Sequence, residues 1–277
     1  MRRMVPAQLV AEVVPEVTVS GEGHEHVRTD EQKTCPHAGL GAVAKLVDMS
    51  IAENLERVRN EIADACARAG RDVGEVALMA VSKVHPAEAI MEAHAAGQRL
   101  FGENRVQEMQ SKFATVSGLD GIELHLIGPL QNNKTSKAAE IFDAVDALDS
   151  LKTAERLNTA AAALGKVLPV LIEVKLSHEE SKHGLAPGSL TELLDAIAPL
   201  KFVAARGLMT VPPWSEDAET ARPYFQELRR LRDEHVARFP QLTQLSMGMS
   251  GDFRVAIEEG STTVRIGTAI FGKRIFA

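Results

Sequence analysis

The apolar run VALMAV, Val76 to Val81, leads into Ser82 and Lys83, with Pro86 close behind. Alternation along an extended chain puts Ala77, Met79, Val81 and Lys83 on one face. An amine at the end of such a face is partly stripped of water. Desolvation disfavours the ammonium and lowers its pKa from a reference of about 10.4. The neutral amine attacks a carbonyl to form a Schiff base, a reaction closed to arginine, which stays charged. A lysine whose stem packs while its head reaches water is the plain alternative, and the residue by itself does not choose. Lys175, in IEVKL, is a rival strand-end lysine, but Glu173 shares its face and an ordinary ion pair accounts for it.

Two further stretches suit an anion. SMGMSGDF, Ser246 to Phe253, leaves a strand pattern and opens a helix at Ser250, with Gly251 and Asp252 in the first turn. Backbone N–H groups at that end, with the Ser250 hydroxyl, make a phosphate site. In VRIGTAIFG, Gly267 lets a backbone approach a ligand closely and Thr268 adds a hydroxyl. An imine-forming lysine with a phosphate cup fits two ligands. One is a phosphosugar, as in aldolases that work through an imine; the other is pyridoxal 5′-phosphate, whose aldehyde and phosphate lie at opposite ends. Arg265 shares the face of Thr263 and Gly267. Its guanidinium suits a pyridine nitrogen and has no assigned task on a sugar.

These residues need a scaffold that gathers strand ends. The chain has 277 residues, 45% of them apolar, enough for one large core or two ordinary ones. Acidic residues number 38 against 31 basic, a net charge of −7 with no basic block, which disfavours nucleic acid and anionic membranes as partners. Cys35 and Cys66 make neither a disulfide framework nor a zinc spacing, which fits a reducing, cytoplasmic setting. No apolar run is long enough to cross a bilayer. The basic start MRRMVPAQLVAEVVPEV is broken by Pro6, Glu12 and Pro15 and lacks a cleavage site, so it does not read as a signal peptide.

Residues 1–48 read as a disordered arm, because the stretch VSGEGHEHVRTDEQKTCPHAGLG, Val19 to Gly41, is polar, carries several glycines and has no periodicity. Its His24, His26, Cys35 and His37 lack the spacing of a closed metal site. Ser50 and Glu53 then form a capping box, and Ile51, Leu55, Val58 and Ile62 share a helix face until Gly70. Met49 stands just before the cap, so the folded domain is expected to span residues 49–277, and the arm leaves the start site open. Strand and helix patterns alternate from there. The strands are expected at Val76–Ser82, Arg99–Glu103, Ile122–Gly128, Ala144–Leu148, Val167–Leu176, Phe202–Val211, Gln244–Met249 and Thr262–Phe271. Gly97, Gly165 and Gly260 stand where helix-ending glycines belong, and Ser189 with Glu192 reads as a second capping box. Eight strands in strict alternation imply a single-domain α/β fold, the (β/α)8 TIM barrel, rather than the alternative, an open doubly wound sheet. Too few residues follow strand eight for its helix. The helix from Ile51 is expected to cover that place.

The motifs VSK, FGENRVQE, HLIGPLQNNK, SHEESKHG, RGLMTV, LSMGMSGD and AIEEGSTTVRIGTAIFG run in order from about Ile51 to Gly272. Together they resemble the pyridoxal phosphate homeostasis protein family, often called PROSC-like; only the arm departs from the pattern. The resemblance implies a barrel similar to that of alanine racemase, without the racemase's second domain. It implies pyridoxal 5′-phosphate held as an internal aldimine on Lys83, with Arg265 at the pyridine nitrogen. Ser250, Gly267, Thr268 and the backbone of Met249 would hold the phosphate. Asn104 would lie beside the ring, and Ser246 on the phosphate side.

The residues lean away from catalysis as well. An arginine beside the pyridine nitrogen keeps it unprotonated, since a protonated ring would repel the guanidinium, and such a ring is a weaker electron sink. Racemisation also needs a second acid/base on the opposite face of the substrate. In the racemase this is a tyrosine of the second domain, whereas the single tyrosine here, Tyr224, lies in the sixth helix pattern. His125 is the substitute candidate, although a strand-end histidine is more often a hydrogen-bonding partner. Asn132, Asn133 and Asp149 are loop candidates without an assigned role, and the Ser177 to Gly184 loop could be a lid or a partner surface. The expected function is a non-catalytic carrier that buffers and delivers pyridoxal phosphate, with cofactor-dependent apoenzymes or B6-salvage enzymes as candidate exchange partners. A monomer is expected. A pyridoxal-phosphate-dependent amino-acid racemase of the same fold type is the alternative.

Overall fold

The computed structural model describes residues 49–177, 179 and 183–272. The expected arm at 1–48, with its histidines and Cys35, lies outside the described residues. Strands β1 (Ala77–Val81), β2 (Leu100–Glu103), β3 (Glu123–Leu126), β4 (Ala144–Leu148), β5 (Leu168–Glu173), β6 (Val203–Met209), β7 (Gln244–Ser246) and β8 (Thr263–Ile266) pair in parallel in chain order, and β8 returns to β1 to close the barrel. Helix α1 (Ile51–Ala69) precedes them. Helices α2 (Ala87–Ala95), α3 (Val106–Val116), α4 (Thr135–Ile141), α5 (Leu151–Ala163), α6 (Leu190–Ile197), α7 (Arg222–Val236) and α8 (Phe253–Glu258) follow the first seven strands in turn, and α9 (Thr268–Phe271) is a single turn after β8. This is the (β/α)8 barrel that the alternation implies.

Period-2 patterning divides each strand between two environments. Ala80, Phe101, Leu124, Val145, Val170, Leu208, Leu245 and Val264 are buried in the main apolar core, between sheet and helices. Fully burying a leucine or phenylalanine there contributes about 1.5–3 kcal/mol. Ala147, Leu171 and Met209 form a separate small apolar cluster. Asp146, Glu173, Ser246 and Arg265 are buried too. A register shift in the pairing of β4 with β5 lets Asp146 and Ala147 both avoid the outer core.

Helix α1 takes the vacant place after β8. Leu55, Val58, Ile62, Ala65 and Cys66 form its buried face, and it packs beside α2, α8 and α9. Asn54 Nδ2 donates to the Ile270 carbonyl at 3.0 Å, and the Arg57 guanidinium donates to the Ala269 carbonyl at 2.7 Å. Both are carbonyls at the end of a short helix that would otherwise lack partners. The capping box forms as expected: the Glu53 N–H donates to Ser50 Oγ at 3.2 Å and the Ser50 N–H to the Glu53 carboxylate at 2.8 Å. Gly70 ends the helix at φ +64°.

The structure corrects three expectations. Strand eight does not run to Phe271 but stops at Ile266, because the backbone turns at Gly267 (φ −114°, ψ −77°) into α9. Strand seven stops at Ser246 rather than Met249, because Gly248 takes φ +96°. Ser189 makes no capping box: it ends a short 3-10 turn at φ −96°, ψ 1°, not in the extended conformation from which a side chain caps. Among the described residues no helix is long and apolar enough to cross a membrane.

Ser50→Ala removes one half of the cap on the helix that completes the barrel wall. It is expected to cost about 1 kcal/mol, read as a lower urea midpoint at unchanged m-value. An unchanged midpoint would show that docking of the apolar face alone holds α1.

Candidate functional site

In the β1–β8 pairing Ala77 faces Thr263 and Ala80 faces Ile266, so the end of β1 lies beside Gly267. A Cβ on Gly267 would stand 3.2 Å from the Val81 carbonyl oxygen and 3.5 Å from Val81 Cβ, so any side chain there would crowd the end of β1. Lys83 follows two residues on and is half-buried. The His85 ring packs on Phe271 with centroids 5.1 Å apart, tying the loop after β1 to α9. The backbones carrying Lys83, Gly267 and Thr268 therefore meet at one rim of the barrel.

The turn after β7 reaches the same rim. At Gly248 an added Cβ would sit 2.6 Å from Ala256 Cβ, on top of an unfavourable φ, so only glycine fits. Its carbonyl accepts the Arg265 N–H at 2.9 Å, coupling this turn to β8. Helix α8 opens at Asp252, not at Ser250 as the sequence suggests. The Met249 N–H donates to the Asp252 carboxylate at 2.5 Å, and the Met249 carbonyl accepts from the Asp252 and Phe253 N–H groups. Burial pushes the Asp252 carboxyl above its ordinary range, against the pull of that bond and of Arg265. Ser250 is half-buried and Gly251 exposed, with open space where its Cβ would be. Among the described residues the N–H groups of Ser250, Gly251, Thr268 and Ala269 have no protein acceptor. A donor set of this kind suits a phosphate oxygen.

Arg265 is 4% exposed. It donates from Nη1 to Ser246 Oγ at 2.7 Å and from Nη2 to the Thr210 carbonyl at 2.8 Å. Burial draws its pKa down, and the nearby carboxylates of Asp146, Glu173 and Asp252 oppose that. Three of its five N–H donors remain for other partners. Ser246, expected on the phosphate side, is fully buried, and its hydroxyl accepts from the Arg265 guanidinium. Asn104 is half-buried just past β2, and its side-chain amide has no protein partner among the described residues. The loop after β3 crosses its backbone at Gly128, where an added Cβ would fall 2.3 Å from the Asn104 carbonyl oxygen.

Other candidates have different places. Asn132 and Asn133 line a groove of about 520 Å³ with residues of α4 and α5, on the helical side of the barrel. Tyr224 lies on α7, half-buried. The Lys175 N–H donates to the Leu185 carbonyl while the Leu185 N–H donates to the Glu173 carbonyl, so the backbone on either side of Val174 is tied to Leu185. His125 lies within β3, with Nδ1 3.1 Å from Asp146 and Nε2 2.9 Å from Glu123. Burial alone would lower the His125 pKa, but the Asp146 and Glu123 carboxylates reverse this and raise it to about 10. A histidine with both ring nitrogens bonded to carboxylates, and charged at neutral pH, is not a general base.

One group of residues escaped the sequence reading. Lys112, on α3, is buried and donates to Glu103 at 2.8 Å, to Glu108 at 2.8 Å and to the Ser82 carbonyl at 3.1 Å. Ser82 Oγ donates to Glu103 at 2.8 Å, and the Val84 N–H donates to Glu108. Val84 has φ +62°, the one non-glycine residue at positive φ among the described residues. For a β-branched side chain this conformation costs roughly 1–3 kcal/mol. The signal was present: Lys112 falls on the buried stripe of Val106, Met109 and Val116, where a cation needs partners.

A family model described as alanine racemase, N-terminal domain, matches residues 53–274. Over 231 residues the chain is 46% identical to the pyridoxal phosphate homeostasis protein of Vibrio alginolyticus, covering 82% of this chain and 99% of that one. The chain belongs to the pyridoxal phosphate homeostasis protein family. The Escherichia coli member is 45% identical over 236 residues, 82% of this chain and 98% of its own. The solved structure of PipY from Synechococcus elongatus with PLP bound is 41% identical, with a TM-score of 0.72, and covers 80% of this chain and 100% of its own. Alanine racemase of Clostridium difficile, 14% identical with a TM-score of 0.60 over 78% of this chain and 59% of its own, shares the fold.

The raised His125 pKa has a pH signature. With a folded value of about 10 against 6.5 for the free side chain, the ion-pair contribution is fully present below about pH 6.5 and is lost as pH rises through 10. His125→Gln is therefore expected to cost most stability below that lower value and progressively less above it, measured by urea titration against wild type. A cost independent of pH would show that the imidazole is neutral in the folded barrel.

Proposed function

We propose that the chain binds pyridoxal 5′-phosphate reversibly and serves as its carrier, without catalysing turnover. Lys83 is the amine that takes the aldehyde. Arg265 faces the pyridine nitrogen, with Ser246 bonded to its guanidinium, and Asn104 lies beside the ring. Ser250, Gly267, Thr268 and the turn at Met249 hold the phosphate. Residues 49–277 form the cofactor-binding domain, with 1–48 as an arm outside it, and the barrel acts as a monomer in the cytoplasm. Cofactor-dependent apoenzymes or B6-salvage enzymes are the exchange partners.

The observation that carries the reading is the buried guanidinium of Arg265, two residues before Gly267 and fixed by Ser246 and Thr210. A pyridine nitrogen accepting from it stays unprotonated. Bound, the cofactor supplies a reversible aldehyde–amine linkage, and next to this arginine only a weak electron sink. Neither residue considered for the second acid/base that racemisation requires is placed to serve. His125 is bonded on both nitrogens and Tyr224 sits on an outer helix. The names of the relatives and the cofactor in PipY support the same reading.

Incubation with pyridoxal phosphate is expected to produce a visible absorption band that borohydride abolishes, leaving a reduced adduct that mass spectrometry locates at Lys83. Lys83→Ala is expected to lose band and adduct together. Deuterium exchange at Cα across a panel of amino acids is expected to stay far below enzymatic rates; steady turnover would make the protein a racemase instead. An adduct on another lysine would remove Lys83 from the site.

A further inference from the structure

We infer that Glu108, held by Lys112, is a positioning residue for Lys83: it fixes the backbone step from which the lysine meets its aldehyde. The inference rests on the reading of Lys83 as the cofactor's amine. Both neighbours of Lys83 are tied to the same buried ammonium. On one side the Ser82 carbonyl accepts directly from Lys112 Nζ at 3.1 Å. On the other the Val84 N–H donates to Glu108, whose Oε1 also accepts from Lys112 at 2.8 Å. The third Lys112 bond, to Glu103, returns to Ser82 through its hydroxyl. An ammonium has three protons, and all three serve this one loop.

The loop needs such a clamp. Val84 is held at φ +62°, yet the residue is 58% exposed, so apolar burial does not hold it there. Without an acceptor for its N–H, a valine at this position relaxes to an extended or right-handed conformation. That relaxation turns the peptide between residues 83 and 84 and re-aims the lysine. None of the clamp residues belongs to the ligand-holding set: Glu103, at the end of β2, adjoins Asn104, Glu108 and Lys112 lie on α3, and the anion turns follow β7 and β8. Its effect on the ligand passes through the backbone of Lys83.

The test is a cycle of wild type, Glu108→Ala, Val84→Gly and the double variant, with Glu108→Gln as the conservative control. Glycine adopts positive φ without steric cost, so it removes the need for the clamp. Glu108→Ala is expected to weaken pyridoxal phosphate binding by roughly tenfold and to slow growth of the visible band, a coupling typical of residues in contact. In the Val84→Gly background the same change is expected to cost no more than about twofold. Glu108→Gln, which keeps an oxygen for the Val84 N–H, is expected to retain most of the affinity. In the cofactor-free protein, hydrogen exchange at the Val84 amide is expected to accelerate in Glu108→Ala and not in Glu108→Gln. If the alanine variant does not fold, Glu108→Asp, whose shorter side chain withdraws the acceptor, takes its place with the same expectation. Equal losses in the valine and glycine backgrounds would make Glu108 a general structural residue and overturn the inference. So would wild-type affinity in Glu108→Ala when wild type carries its adduct on Lys83. Absence of that adduct on wild type would overturn the inference together with the reading it rests on.

Discussion

Closure of the barrel between β1 and β8 is the contact on which everything else depends. Strands from opposite ends of the folded region pair in parallel from Ala77 beside Thr263 to Ala80 beside Ile266. That register brings the end of β1 against Gly267 and leaves so little room that a side chain there would press on the Val81 carbonyl. The stacking of His85 on Phe271 extends the contact one loop further. A parallel pair cannot be made by a short turn, so the intervening strands and helices are what deliver these two ends to one another.

The barrel interior imposes a second demand. A buried guanidinium is tolerated only when its charge and its hydrogen bonds are met. Arg265 is met by Ser246, by the Thr210 carbonyl, and by the field of Asp146, Glu173 and Asp252. Asp146 also holds His125, so one carboxylate joins the two cations electrostatically. The same arrangement that makes these charges stable removes His125 from the set of groups able to take a proton from a substrate. Electrostatic satisfaction and chemical restraint are here a single property.

Much of this was legible in the sequence because it rests on local rules. Strand–helix alternation, the Ser50 and Glu53 cap, and the glycines that end helices each report on a few adjacent residues, and the barrel follows from their count. Strand ends were less legible. Apolar character continues from Ile266 through Phe271, while the path of the chain is decided at Gly267 by its approach to β1. Local pattern cannot register such a contact. The partner of Ser246 was not legible either: its position on a strand sets its hydroxyl against the arginine of the next strand, which sequence neighbours do not report. The clamp of Glu103, Glu108 and Lys112 was legible only in part: Lys112 stands out on an apolar helix stripe, but the backbone angle at Val84 that the clamp meets does not. A torsion of this kind leaves no trace in residue types, since valine is a poor choice for it.

Helix α1 sits in the gap after β8, held by the carbonyls of Ala269 and Ile270 and packed beside α8. The first helix of the fold thus docks on its last elements. During synthesis its apolar stripe of Leu55, Val58 and Ile62 has α2 as an early neighbour, but the α8 and α9 part of its seat emerges only near the end of the barrel. A nascent fragment lacking the final segment therefore carries a helix whose docking site is only partly built.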